Sequence, residues 1–182
     1  MTRYVAFLRG INLGKRRVAM ADLRDHFEAL GLEEVGSHGA SGNVAFDHEE
    51  MSAPETRELE ARIERHLEAS LGFFTDTMVR RLSDVEALTR LDLVDEAEAD
   101  GLNVYITFAK TSLDADVEEA FAALETPDDR FHVRGREVLW LRRGGISDSV
   151  VDTRDLERAF GGAPNTRRKV TSLRKIVEAL RT

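Results

Sequence analysis

Residues 52–72, SAPETRELEARIERHLEASLG, decide how the chain is read. Ser52 and Glu55 have the spacing of a capping box around Pro54, which suits the first turn of a helix. Leu59, Ile63, Leu67 and Leu71 then recur every fourth residue as one apolar stripe, and Gly72 stands where a left-handed cap ends the helix.

Working outward, two short β segments precede this helix, near Glu34–His38 and Asn43–Asp47. They are joined by Gly39-Ala40-Ser41-Gly42, a hairpin-sized loop. A further strand, Asp76–Arg81, follows the helix. Nearer the N-terminus, Arg3–Arg9 is an apolar run of strand length bounded by Gly10. Met20, Leu23, Phe27 and Leu30 mark a helical face that closes at Gly31. The order β-α-β-β-α-β over residues 1–82 predicts a ferredoxin-like unit of an α+β protein.

The second half, residues 83–182, is expected to form a related α+β subdomain whose C-terminal helices pack back on the first. Ser83 and Glu86 have capping-box spacing and predict a short helix towards Leu91. The acidic stretch Asp92–Asp100 is expected to be a hinge. Strand Leu102–Phe108 follows, then a helix with Leu113, Val117, Phe121 and Leu124 inward. Phe131–Arg134 and Glu137–Leu141 predict a hairpin around Gly135. A short helix, Asp155–Phe160, and a last one from Lys169 to Leu180 complete the chain. The order echoes the first half without its final strand, and no residue-level repeat is visible. Trp140, the sole tryptophan, is expected in the core.

Composition excludes several kinds of chemistry. The 182 residues include no cysteine, so disulfides, thiolate catalysis and cysteine-based metal clusters are out. The N-terminal apolar run is too short for a signal peptide or a membrane span, which predicts a cytoplasmic protein without membrane contact. The net charge of -8 is uneven: residues 1–20 carry +5, residues 165–182 carry +5, and the stretch between carries -18. An acidic body disfavours general binding to nucleic acid. Two basic ends suit either solvent or one local anion site.

The stretch Arg9-Gly10-Ile11-Asn12-Leu13-Gly14-Lys15-Arg16-Arg17 carries the clearest chemical signal. Two glycines between a strand and a helix let backbone N–H groups approach an anion, and Arg9, Lys15, Arg16 and Arg17 add charge. It is neither a P-loop nor a dinucleotide loop: the second glycine comes one residue early, and Arg16 stands where Ser or Thr would meet magnesium. The same glycines would equally serve a plain turn, with Asn12 bonding its own backbone. Ser41 and Asn43 suit the turn they occupy, or polar contacts to a ligand. The five histidines show no paired metal spacing, so no metal and no cofactor is expected. At the other end, Asn165 or Thr166 is expected to cap the last helix, where Arg167, Arg168 and Lys169 oppose the helix dipole unless an anion sits there.

Phe7–Gly14 (FLRGINLG), Met20–Arg24 (MADLR) and Ser41–Val44 (SGNV) resemble the bacterial family called domain of unknown function 1697. The resemblance implies cytosolic proteins with ferredoxin-like α+β subdomains and no established reaction. The family's C-terminal pattern is similar to Thr-Thr-Arg-Asn-Trp-Asn-Thr. Thr166, Arg167 and Thr171 match it, whereas Asn165, Arg168, Lys169 and Val170 differ, and Ala40 stands where the family usually has Gln. The resemblance implies that the basic loop, the Ser-Gly-Asn turn and Arg167 form one site.

The expected function is binding of a small anionic or phosphorylated ligand, and no reaction is legible. The expected site comprises Arg9, Gly10, Asn12, Gly14, Lys15, Ser41, Gly42, Asn43, Thr166 and Arg167. The alternatives are single-stranded nucleic-acid binding on a sheet face, through Tyr4, Phe7 and Phe46, or a homodimeric interaction module. Either a monomer or a homodimer is compatible with the sequence.

Overall fold

The computed structural model describes residues 1–181 as two compact units. The first comprises Met1–Ala87 together with the chain from Arg174 onward, and the second comprises Leu88–Leu173. Each is built on a four-stranded antiparallel sheet flanked by helices, an α+β architecture. Among the described residues no helix is long and apolar enough to cross a membrane.

In the first unit the elements run β1 (Thr2–Leu8), α1 (Met20–Ala29), β2 (Glu33–Ser37), β3 (Asn43–His48), α2 (Ala53–Leu71) and β4 (Thr77–Arg81), with sheet order β2-β3-β1-β4. The α2 cap forms as its sequence demands. Ser52 Oγ accepts from Glu55 N, and Glu55 Oε2 accepts from Ser52 N at 2.7 Å. Tyr4, Ala6 and Leu8 of β1 alternate into a core with Phe27 of α1, Phe46 of β3, and Leu59, Ile63 and Leu67 of α2. Val5 and Phe7, which point the other way, are also buried.

β4 lies at an edge of its sheet, and α2 closes that edge. Glu64 Oε1 accepts from Thr77 N and Glu60 Oε1 from Val79 N, both at 2.8 Å. The two carboxylates stand one helical turn apart, which matches the two-residue repeat of outward N–H groups along a strand. From the C-terminal segment, the carbonyl of Leu180 accepts from Arg3 Nε at 3.0 Å.

β4 runs straight into α3 (Leu82–Leu88), so Ser83 lies inside that helix and not at the N-cap position the sequence predicts. Leu82, Val85 and Leu88, all buried, recur at helical spacing and set this earlier start. The expected hinge is instead α4 (Asp92–Ala99). Val94 and Ala97 are buried one turn apart, and Asp92 and Asp95 suit the positive N-terminal end of the helix.

The second unit continues with β5 (Asn103–Ala109), α5 (Ala115–Ala122), β6 (Asp129–Arg134), β7 (Glu137–Arg142), α6 (Thr153–Ala159) and β8 (Asn165–Lys169). Its sheet order, β6-β7-β5-β8, is that of the first unit shifted by four strands. β8 is the final strand that the sequence concealed. Asn165–Lys169 is therefore a strand paired with β5, and neither Asn165 nor Thr166 caps the last helix, α7 (Val170–Leu180). Three consecutive cations masked the strand because they follow no apolar alternation. Pairing with β5 supplies what local pattern lacks.

The shared order extends to register. Tyr4 lies opposite Phe46 and Arg81, and Tyr105 lies opposite Trp140 and Lys169. An aromatic pair beside a cation thus recurs at matching points of the two sheets, a repeat that only strand pairing makes visible. As expected, Trp140 is core, 2% exposed. Its Nε1 donates to Asp129 Oδ1 at 2.9 Å, and that carboxylate also accepts from Arg142 at 2.8 Å and from Ser149 and Thr126.

Candidate functional site

The basic loop leaves β1 at Arg9 and reaches α1 at Met20. Asn12 is its central tie. Its Oδ1 accepts from Val18 N at 2.7 Å, while Nδ2 donates to the carbonyl of Val18 at 3.1 Å and to that of Ala40 at 2.9 Å. The first pair closes the loop on itself, and the third bond fastens it to the β2–β3 turn. Asn12 is therefore occupied within the fold.

The turn is shaped to receive the loop. Gly42 has φ +74°, and a Cβ there would stand 2.6 Å from Ile11 Cγ2, inside any real contact. Ile11 is 1% exposed and fills that space. Asn43, also buried, donates from Nδ2 to the carbonyl of His38 at 2.9 Å, closing the hairpin. Ser41 is exposed beside it.

On its other side the loop forms one wall of a cleft. Arg9, Gly10, Leu13, Arg16, Phe74, Thr75 and Asp76 line a cavity of about 330 Å³. The α2–β4 connection supplies the opposite wall, and two hydrogen bonds stitch the walls together. Arg9 N donates to the carbonyl of Asp76 at 2.9 Å, and Thr75 Oγ1 donates to the carbonyl of Arg9 at 2.7 Å. The Arg16 guanidinium lies 4.5 Å from the Phe73 ring centroid, a cation–π contact that holds the charge near the rim. Arg17 instead donates to the carbonyls of Gly14 and Arg16 and braces the loop.

The structure thus sorts the residues expected in one site. Arg9 and Gly10 line the cleft, with Gly10 at φ +66°. Asn12, Gly42 and Asn43 build the loop–turn junction, Gly14 turns the chain at φ +62°, and Lys15 and Ser41 are exposed. Leu13, Arg16, Phe74, Thr75 and Asp76 also line the cleft and lie outside the expected site, Arg16 having been read only as added charge. The doublet Phe73-Phe74 after the helix-ending Gly72 was the available signal, since adjacent residues of an extended segment cannot both face one core.

Thr166 and Arg167 belong to the second unit. Thr166 Oγ1 accepts from Arg168 at 2.8 Å. Arg167 donates from Nε to Thr107 Oγ1 at 3.2 Å, and its guanidinium lies 4.9 Å from the Trp140 ring centroid. Burial lowers the pKa of Arg167, and Glu157 and Tyr105 counter the shift.

Tyr4, Phe7 and Phe46 are each at most 1% exposed, so no base can stack on them as the nucleic-acid alternative requires. Sequence spacing separated the histidines, but folding pairs two of them across α1 and α2: His26 Nδ1 lies 3.3 Å from His66 Nε2. Among the described residues no three His, Asp or Glu side chains gather as a metal site.

Residues 1–139 match the model of the family described as "Protein of unknown function (DUF1697)". The solved structure of the conserved bacterial protein SP0830 from Streptococcus pneumoniae is similar at 27% identity over 98% of each chain, with a TM-score of 0.73. No curated protein matches the chain.

Proposed function

The chain belongs to the DUF1697 family, and from its own residues we propose that it binds a small anionic ligand, most simply a phosphorylated one, in the cleft beside the basic loop. The observation that carries this reading is that Arg9 and Arg16 line one 330 Å³ cleft against a single carboxylate, Asp76. That volume lies in the range of ligand-sized pockets, about 300–1,000 Å³. Gly10 keeps the backbone low at the cleft wall, and Lys15 adds positive charge from the same loop.

Asn12, Gly42 and Asn43 contribute by rigidity, since a loop fixed before binding loses less entropy on binding. Ser41 stands beside that junction as a polar contact for an extended ligand. Thr166 and Arg167 are engaged in the second unit, and the reading stands without them. The matching strand orders support a ferredoxin-like description of each unit.

Isothermal titration with inorganic phosphate and ribose 5-phosphate tests the proposal. Binding should be measurable in the parent and fall at least about tenfold in Arg9→Gln and in Arg16→Gln, the loss of one charge-assisted contact. Equal binding by parent and variants, or no binding of either anion, rejects it.

A further inference from the structure

Two apolar side chains stand in the open at this cleft: Leu13 is 71% exposed and Phe74 45%. Neither can retreat. Phe74 lies between Phe73, packed against the core, and Thr75, 2% exposed and bonded to Arg9. Leu13 follows Ile11 and Asn12, both anchored, and its Cδ1 would lie 3.6 Å from a Cβ on Gly10. Both groups are exposed and line one cavity, Leu13 from the basic loop and Phe74 from the α2–β4 connection.

A bare anion makes no use of that arrangement. Inorganic phosphate or a sugar phosphate would engage the guanidinium groups and leave both apolar groups in water. Asp76 argues in the same direction, because a carboxylate opposes a compact, highly charged anion but accepts from hydroxyl or amine groups. A ligand satisfying all three features joins an anionic group to hydroxyls and a flat ring.

Resting on the anion-binding reading, we infer that the ligand is a mononucleotide. Its phosphate lies at Arg9 and Arg16, and its base is held between Phe74 and Leu13. Every base presents a π face, so stacking on one phenyl ring selects nucleotides as a class and not one base. A single Phe and a 330 Å³ cavity suit one nucleotide, in contrast to the row of stacking platforms a nucleic-acid strand uses.

The test compares AMP, GMP, CMP and UMP with ribose 5-phosphate and adenosine, by titration of the parent, Phe74→Ser and Arg9→Gln. At least one nucleoside monophosphate should bind about tenfold or more tighter than ribose 5-phosphate, the scale of one aromatic stack. Phe74→Ser should remove that advantage, so that nucleotides bind no more tightly than ribose 5-phosphate does. Phe74 is exposed, so a matching melting temperature will show that the variant folds. If ribose 5-phosphate binds as tightly as every nucleotide, or Phe74→Ser changes nothing, the inference is overturned while the anion site stands. If no phosphorylated compound binds in an Arg9-dependent way, or adenosine binds as tightly as AMP, both fall.

Discussion

The side-chain amide of Asn12 donates to the carbonyl of Ala40 at 2.9 Å, joining two connections that are 28 residues apart in sequence. Through this bond the hairpin turn and the strand-to-helix loop behave as one piece. The start of the loop is held separately to the α2–β4 connection, through Arg9 N to the carbonyl of Asp76 and Thr75 Oγ1 to that of Arg9.

Asn12→Ala should lower stability by about 1–3 kcal/mol, because the Val18 N–H and two carbonyls lose their partner. In a chain of this length that is a fall of several degrees in melting temperature. Phosphate affinity should weaken as well, although Asn12 does not line the cleft. Calorimetry and titration on one preparation check both effects. An unchanged melting temperature would show that the tie is idle.

Gly42→Ala should be costlier than a left-handed φ alone explains, since the new methyl group meets Ile11 as well. About 2–4 kcal/mol is expected, combining backbone strain with overpacking. Ile11→Ala made on top of Gly42→Ala should recover part of the loss. Denaturant unfolding of the four proteins in that cycle gives the coupling directly. Strict additivity would exclude the collision as the cause.

Asp129 provides the pH prediction. Burial raises its pKa, but bonds from Thr126, Arg142, Trp140 and Ser149 outweigh burial and hold it below the ordinary 3.8. A carboxylate with a depressed folded pKa stabilises fully above its unfolded pKa, and that contribution drains away as pH falls through the folded value. Stability should therefore drop below about pH 4. Asp129→Asn should flatten this part of the profile. At neutral pH the same variant should cost about 3–5 kcal/mol, because Arg142, 3% exposed, loses its buried counter-charge. Urea unfolding from pH 3 to 7 measures both.

Glu64→Ala should cost about 1–3 kcal/mol by stripping Thr77 N of its acceptor. It should also open the β4 edge, whose outward N–H groups are a template for strand addition. Sedimentation at rising concentration should show self-association in the variant beyond that of the parent. Equal behaviour would mean that the helix itself, rather than its carboxylates, guards the edge.

Elements held by local interactions were legible in the sequence, and those held by distant partners were not. α2 was legible in detail because its cap, its stripe and its terminal glycine are all local interactions. The hairpin before it was legible for the same reason, and so was the basic loop as a place of concentrated charge. β8 was not, because Asn165–Lys169 has no strand-like alternation and becomes a strand only through pairing with β5. α4 was misread as a hinge because its acids outnumber the two small apolar residues it buries.

The candidate site shows the same division. The primary sequence by itself determined which loop carries the cations and which glycines bend it. Only the tertiary structure decided which of those residues reach a cleft and which are spent on the fold. Asn12 looked like a ligand contact and is a tie, whereas Phe74, to which the sequence reading assigned no role, stands in the open. Hydrogen-bond partners and the far wall of a cleft come from distant parts of the chain, and no local pattern encodes them.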